Sequence, residues 1–188
     1  MKKIIVAITG ATGAPLALKL IEQLNFFDVE IHLVVSTWGE TNLLQECGVN
    51  YQQLCDKVDA VYPIDDMGAR ISSGSFITDG MIIVPCSMKT LAAIRNGYTD
   101  NLISRTADVM LKENRPLVLV PRETPLSTIH LDNLLYLSTL GVVILPPMPA
   151  FYNNPLTIDD ILSHLAARIL DQIGLHHPSA KRWQGLNE

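Results

Sequence analysis

The sequence predicts an α/β fold, a doubly wound and mainly parallel sheet between two helical layers. Three observations carry that prediction. Short aliphatic runs alternate with helix-length periodic segments along the chain, and strands joined through helices run parallel. Four of the five runs are almost unbroken, the pattern of strands covered on both faces. The 188 residues, 48% of them hydrophobic, suffice for one sizeable core and not for two ordinary ones.

Strands are expected at 3–9, 29–35, 81–85, 117–121 and 142–145, and only the second is interrupted, by Glu30 and His32. Helices fit between them at 14–24, 39–47, 87–96, 101–113 and 127–140. The last helix, 158–173, carries Ile158, Ile161, Leu162, Leu165 and Ile169 at helical spacing, with Thr157 as its N-cap. Residues 1–188 read as one domain with a C-terminal tail from about 175 to 188. Right-handed crossovers place the C-terminal end of every strand on one edge, where ligands of such sheets bind.

Composition narrows the function. With 14 basic and 19 acidic residues the net charge is -5 and no Lys/Arg-rich run occurs, so no nucleic-acid footprint is expected. Charged residues reach only 18% and the mean hydropathy is +0.23. That is more apolar surface than one small domain buries alone, which points to subunit association. The Met1-Lys2-Lys3 start imitates a signal peptide, but its apolar stretch stops at Thr9-Gly10 and is better read as a strand. Residues 133–158 carry no charge, yet Gly141, Pro146, Pro147, Pro149 and Asn153-Asn154 interrupt the stretch, so no membrane span is expected. Cys47, Cys55 and Cys86 have no metal or disulfide spacing and read as reduced thiols of a cytoplasmic protein.

Chemistry gathers at the strand ends. Thr9-Gly10-Ala11-Thr12-Gly13-Ala14-Pro15 is a G-x-x-G turn, either a plain βα connection or a phosphate cradle at a helix N-terminus. An NAD site would need an acid at the end of the second strand. Ser36-Thr37 stands there instead, which tilts the site towards a mononucleotide such as FMN. Ser87, Lys89 and Thr90 open a helix and form a second anion cradle, or else an N-cap with a solvated lysine. Ile71-Ser72-Ser73-Gly74-Ser75-Phe76 is too polar and small for core and reads as a ligand-lining loop. Arg122-Glu123, braced by Pro121 and Pro125, reads as a site pair, with Arg122 suited to a phosphate and a structural ion pair as the rival. Four prolines brace the loop that holds Phe151 and Tyr152.

Other polar groups read as structural. Arg105, Asp108 and Lys112 share one helix face, with Asp108 and Lys112 as an i, i+4 pair, and read as a solvated stripe. Arg168, at the edge of an apolar stripe, reads as a snorkelling arginine. His130 and His164 read as packing or surface groups, and His176-His177 lacks further ligands, so no metal is expected. No G-x-S-x-G elbow supports a hydrolase.

Taken in order, Thr9-Gly10-Ala11-Thr12-Gly13, Ser72-Ser73-Gly74-Ser75, Pro85-Cys86-Ser87-Met88-Lys89-Thr90, the 101–109 and 116–125 segments and Pro149-Ala150-Phe151-Tyr152 resemble the UbiX/Pad family of flavin prenyltransferases. That family was formerly described as aromatic-acid decarboxylases, and the resemblance spans nearly the whole chain. It implies flavodoxin-like, Rossmann-like subunits in a homo-oligomer, a dodecamer. It implies an enzyme that joins the dimethylallyl group of dimethylallyl phosphate to N5 and C6 of reduced FMN. The product, prenylated FMN, would serve a separate UbiD-type decarboxylase.

Carried over residue by residue, the resemblance implies FMN contacts from Gly10, Ala11, Thr12, Ser36, Ser87, Met88, Lys89, Thr90 and Arg122. It implies a prenyl-phosphate site of Lys112, Arg122, Tyr152 and Arg168 with Arg105 near, and a proton-transfer or cation-stabilising role for Glu46. Lys112 and Arg168 thereby change from solvated groups to catalytic ones, as in a site shared between subunits. Lys112, Arg122 and Arg168 would offset charge on the departing phosphate in place of magnesium, and Tyr152 would protonate or hydrogen-bond it.

Two positions depart from the family's pattern. Thr12 stands where many members have Ser, and Met67 lies near where a member has a tryptophan suited to face a cation. Two rival readings stand beside this one: an FMN-dependent decarboxylase of the phosphopantothenoyl-cysteine type, and a non-catalytic FMN carrier. The first expects P-x-M-N-x-x-M-W where this chain reads Pro147-Met148-Pro149-Ala150-Phe151-Tyr152.

Overall fold

A computed structural model describes residues 1–185; the last three residues of the expected tail lie outside them. Among the described residues the order is β1 (Lys2–Ile8), α1 (Ala14–Leu24), β2 (Val29–Val35), α2 (Thr37–Cys47), α3 (Tyr51–Cys55), β3 (Ala60–Tyr62), β4 (Gly80–Cys86), α4 (Met88–Arg95), α5 (Leu102–Lys112), β5 (Leu117–Pro121), α6 (Thr128–Thr139), β6 (Val143–Ile144) and α7 (Ile158–Asp171). All pairings are parallel, in the order β3-β2-β1-β4-β5-β6. This is the doubly wound α/β architecture that the alternation predicts, in the strand order of the Rossmann-like, flavodoxin-like subunit that the resemblance implies.

Helix starts follow the sequence closely because side-chain caps mark them. Thr157 caps α7 in a full capping box with Asp160, and Asn101 and Ser127 do the same for α5 and α6. β3 and α3 escape the sequence pattern, since three to five residues cannot display a period. β3 is held at the sheet edge by pairing with His32, Leu33 and Val34. β6 is shorter than its apolar run, although the Leu145 amide still donates to the Leu119 carbonyl at 2.8 Å.

The period-2 alternation of the strands sorts their side chains into two cores. Ile4, Val6, Ile8, Ile31 and Leu33 pack against α1 and α7 on one face. Ile5, Ala7, Met81, Ile83 and Leu119 pack against α4 and α5 on the other. Every residue of β4 is buried, and each fully buried Ile or Leu contributes about 1.5–3 kcal/mol by leaving water. α5 and α7 therefore lie on opposite faces of the sheet. The polar interruption of β2 has its own partners: His32 is fully buried with Nδ1 2.9 Å from the Tyr62 hydroxyl, which also accepts from Arg70 Nε at 2.9 Å.

The charge-free stretch is divided among α6, β6 and the proline loop, and among the described residues no helix is long and apolar enough to cross a membrane. α6 leaves Ile129, Leu131 and Leu135 exposed, and Leu140, the residue that ends it, is exposed too.

Candidate functional site

The strand order reverses between β1 and β4, and the connections that leave these strands part to opposite faces, opening a crevice at their C-terminal ends. Thr9 ties the two ends together. Its hydroxyl donates to the Pro85 carbonyl at 2.8 Å and accepts from the Ser87 amide at 2.7 Å. Pro85 offers no amide to the ladder, and the β4–β5 register shifts beside it, between Ile83 and Cys86. The Gly10 turn is thus fixed beside the Ser87 turn. Gly13, at φ 123°, adopts the left-handed backbone that leads into α1.

The caps supply the polar floor of the crevice. The Ser36 amide donates to the Ile8 carbonyl at 2.9 Å while its hydroxyl accepts from the Gly39 amide at 3.1 Å, starting α2 against the end of β1. Ser87 starts α4, accepting from the Thr90 amide at 3.3 Å, with the two hydroxyls 3.0 Å apart.

The resulting cleft, about 420 Å³, has Gly10, Ser36, Ser87, Lys89 and Thr90 on its polar side and Trp38, Ile64 and Ile103 on its apolar side. An adjoining hollow continues through Ala11, Thr12, Glu46, Met88 and Arg122. All nine positions expected to hold FMN, and Glu46 with them, meet here. Lys89 and Arg122 make no ion pair among the described residues. The rival Arg122–Glu123 pair does not form, because Glu123 accepts from the Thr124 amide at 3.1 Å instead. A lining that combines apolar side chains with helix caps, hydroxyls and two cations suits a flat ring that carries a phosphate, so these residues fit FMN.

Glu46 ends α2 with its carboxylate against the start of α1, accepting from the Gly13 and Ala14 amides at 2.9 Å each. Burial works to raise its pKa, but the Thr12 hydroxyl, these two amides and the Arg122 charge outweigh it and hold the group below its ordinary 4.5. The anion cradle expected at the Gly10 turn is thus filled from within by Glu46. The start of α4 is left as the open one.

The groups expected around the prenyl phosphate divide between the two faces. On α5, Arg105 Nη1 donates to Asp108 at 2.9 Å and Lys112 turns to Glu113, so the i, i+4 pair of Asp108 with Lys112 is not made. Arg105 Nε also donates to the Ser72 carbonyl at 3.1 Å, and Arg115 donates to the Gly74 and Phe76 carbonyls at 2.6 and 3.0 Å. The small polar loop at 72–76 is thereby fastened to the end of α5.

On the opposite face Arg168 donates to Asp171 at 2.9 Å, and the Tyr152 hydroxyl lies 3.4 Å from His164 Nε2. Burial first, and then the Arg168 charge, push the His164 pKa below 6.5 and keep the ring neutral. Met67 is exposed in the loop that follows β3. The sequence reading missed Trp38, His164 and Asp171 as site neighbours. The recurrence of His164, Arg168 and Asp171 at i, i+4 and i+7 is the signal that marks the last two.

The flavoprotein family matches residues 1–170. A probable UbiX-like flavin prenyltransferase of Escherichia coli O157:H7 is 58% identical over 185 residues, covering 98% of this chain and 94% of the relative. A dodecameric FMN-dependent Ubix-like decarboxylase from the same organism superposes with a TM-score of 0.96 at 58% identity, over 97% of this chain and 100% of the other. AnUbiX (PadA1), solved in complex with FMN and dimethylallyl pyrophosphate, gives a TM-score of 0.96 at 52% identity over 98% of each chain.

Proposed function

The chain belongs to the flavoprotein family, among its UbiX-like flavin prenyltransferases, and on that premise we propose that it joins a dimethylallyl group from a prenyl phosphate to reduced FMN. The observation that carries this is the meeting of all nine expected FMN positions at the β1/β4 crevice. The relative solved with FMN and dimethylallyl pyrophosphate supports both ligands.

When bound, reduced FMN supplies the nucleophilic N5 and the C6 position for ring closure. The start of α4, with Ser87, Lys89 and Thr90, would hold the FMN phosphate, and Trp38 and Ile103 would offer apolar surface to the ring. Thr12 keeps the hydroxyl that many relatives supply from Ser and uses it on Glu46. Glu46, held ionised, is a proton acceptor at the crevice. Arg122, Lys112 and Arg168 offset the charge that grows on the departing phosphate, and Tyr152 donates a hydrogen bond to it.

Lys112 and Arg168 lie on opposite faces of one sheet, so neighbouring copies complete the transfer site. The dodecameric Escherichia coli relative supports a homo-oligomer, and the apolar residues exposed along α6 offer surface for one. We further read residues 1–188 as one cytoplasmic flavoprotein domain whose product passes to a UbiD-type decarboxylase.

The test is an anaerobic incubation with reduced FMN and dimethylallyl phosphate. The expected product is a flavin heavier by one dimethylallyl unit, and an unchanged flavin mass overturns the reading. Running the diphosphate in parallel identifies the preferred donor. Release of carbon dioxide from an acid by this protein alone would favour the decarboxylase rival.

A further inference from the structure

We propose that Arg182, in the C-terminal segment beyond α7, is a positioning residue of the prenyl-phosphate site that acts through Asp171 to free Arg168 for the donor's phosphate. The inference rests on the function proposed above. After α7 the chain folds back across its own last turn. Arg182 grips Asp171 with both ends of its guanidinium, donating at 2.9 Å to Oδ2 and 2.7 Å to Oδ1. The same carboxylate accepts from Arg168 at 2.9 Å, and His176 Nδ1 lies 2.8 Å from Oδ1. Lys181 fastens the segment to the Tyr152 loop by donating to the Asn153 carbonyl at 3.5 Å. The hollow so closed, about 300 Å³, is lined by Tyr152, His164, Arg168, Lys181 and Arg182.

The charges decide what this hollow can hold. Arg168 with Asp171 alone is a neutral pair, and an arriving phosphate would be repelled by the carboxylate as it is drawn by the guanidinium. Asp171 is only 8% exposed, so solvent screens it little. A phosphate monoester carries about -1.5 to -2 near neutral pH. With Lys181 and Arg182 in place, the hollow is lined by three cations and one carboxylate while His164 stays neutral, and although Asp160 draws on Lys181 from outside it, the balance is positive and favours that anion. A carboxylate offers about four lone-pair sites. Arg182 takes one on each oxygen, so Asp171 stays satisfied when Arg168 turns to the phosphate.

The experiment compares wild type, Arg182→Ala, Arg182→Lys and Arg182→Ala with Asp171→Asn. It measures kcat and KM for dimethylallyl phosphate, the FMN Kd, and inorganic phosphate binding to the FMN-loaded protein by calorimetry. Arg182→Ala is expected to raise KM and weaken phosphate binding about tenfold, equivalent to about 1.4 kcal/mol, with kcat and the FMN Kd within about twofold. Arg182→Lys restores most of the loss. Asp171→Asn in the Arg182→Ala background also restores it, because it removes the carboxylate that competes for Arg168. A purely structural role predicts the reverse, a double variant weaker than the single one, and that result overturns the proposal. So does an unchanged KM in Arg182→Ala when wild type is active. If wild type makes no prenylated flavin but phosphate binding still falls and recovers as stated, the anion site stands and the proposed function fails.

Discussion

The β1/β4 crevice expected to hold FMN and the groups expected around the prenyl phosphate are built in opposite ways. In the crevice the polar groups are backbone amides and helix caps, tied to the sheet by Thr9 and Ser36, and the cations Lys89 and Arg122 have no ion partner among the described residues. Outside it, the three cations on α5 and α7 each already hold a carboxylate: Arg105 with Asp108, Lys112 with Glu113, Arg168 with Asp171. The two pairs on α5 are part-exposed and worth about 0–1 kcal/mol each, so an incoming phosphate exchanges them at small cost, whereas Arg168 would leave a largely buried carboxylate that Arg182 still holds. On the proposed function, one chain brings its expected FMN positions together by itself, whereas the groups expected around the prenyl phosphate stand on opposite faces of the sheet.

The largest predicted effect tests that division. Lys112→Ala and Arg168→Ala should each lower prenyl transfer about 10²- to 10³-fold, the scale of losing one group that stabilises developing charge, with the FMN Kd unchanged. Dissociating the two variants and reassembling them together should recover activity. If copies mix at random, roughly a quarter of the shared sites inherit both intact residues. No recovery on mixing would place both residues in one subunit's site and erase the contrast.

Gly10 tests the crevice from the other side. A Cβ at this position would stand 2.4 Å from Trp38 Cβ, in the first turn of α2, so Gly10→Ala must displace the wall of the cleft. FMN affinity should fall at least about tenfold, or about 1.4 kcal/mol, as followed by flavin fluorescence. Unaltered FMN affinity would mean that the flavin does not use the Trp38 side of the crevice.

How far the sequence could be read follows the same division. Strand ends, capping Ser and Thr residues and the Gly10 turn are local signals, and the residues they mark meet at the β1/β4 crevice. Glu46 was beyond that reach: its pairing with Gly13 and Ala14 joins residues far apart in sequence, and no spacing rule reports it. Spacing alone also mispaired Lys112, because Asp108 at i-4 lost to Arg105 at i-3 while Glu113 lay adjacent. Lys112 and Arg168 look solvated in the sequence, and in one subunit they are exposed; only family resemblance marked them.

Acid should separate the two regions least, but with a definite sign. Burial and Arg168 hold His164 below 6.5, so the folded chain takes up that proton less readily than the unfolded chain. The stability held there is full above about pH 6.5 and is lost as pH falls through that value. Glu46 follows the same sign over a lower range: held below 4.5, its contribution is present above that pH and is lost only as pH falls further, towards its lowered folded value. Between about pH 6.5 and 4.5 the α7 side therefore weakens while the Glu46 anchor holds. His32, also pushed down by burial, adds a loss in the same direction from the sheet edge, so the informative quantity is a difference between variants. The thermal midpoint followed from pH 7.5 to about 5 should fall less steeply in His164→Gln than in wild type, and as steeply as wild type in Glu46→Gln. Equal slopes in wild type and His164→Gln would remove His164 from the acid response and leave the α7 side no more sensitive than the crevice.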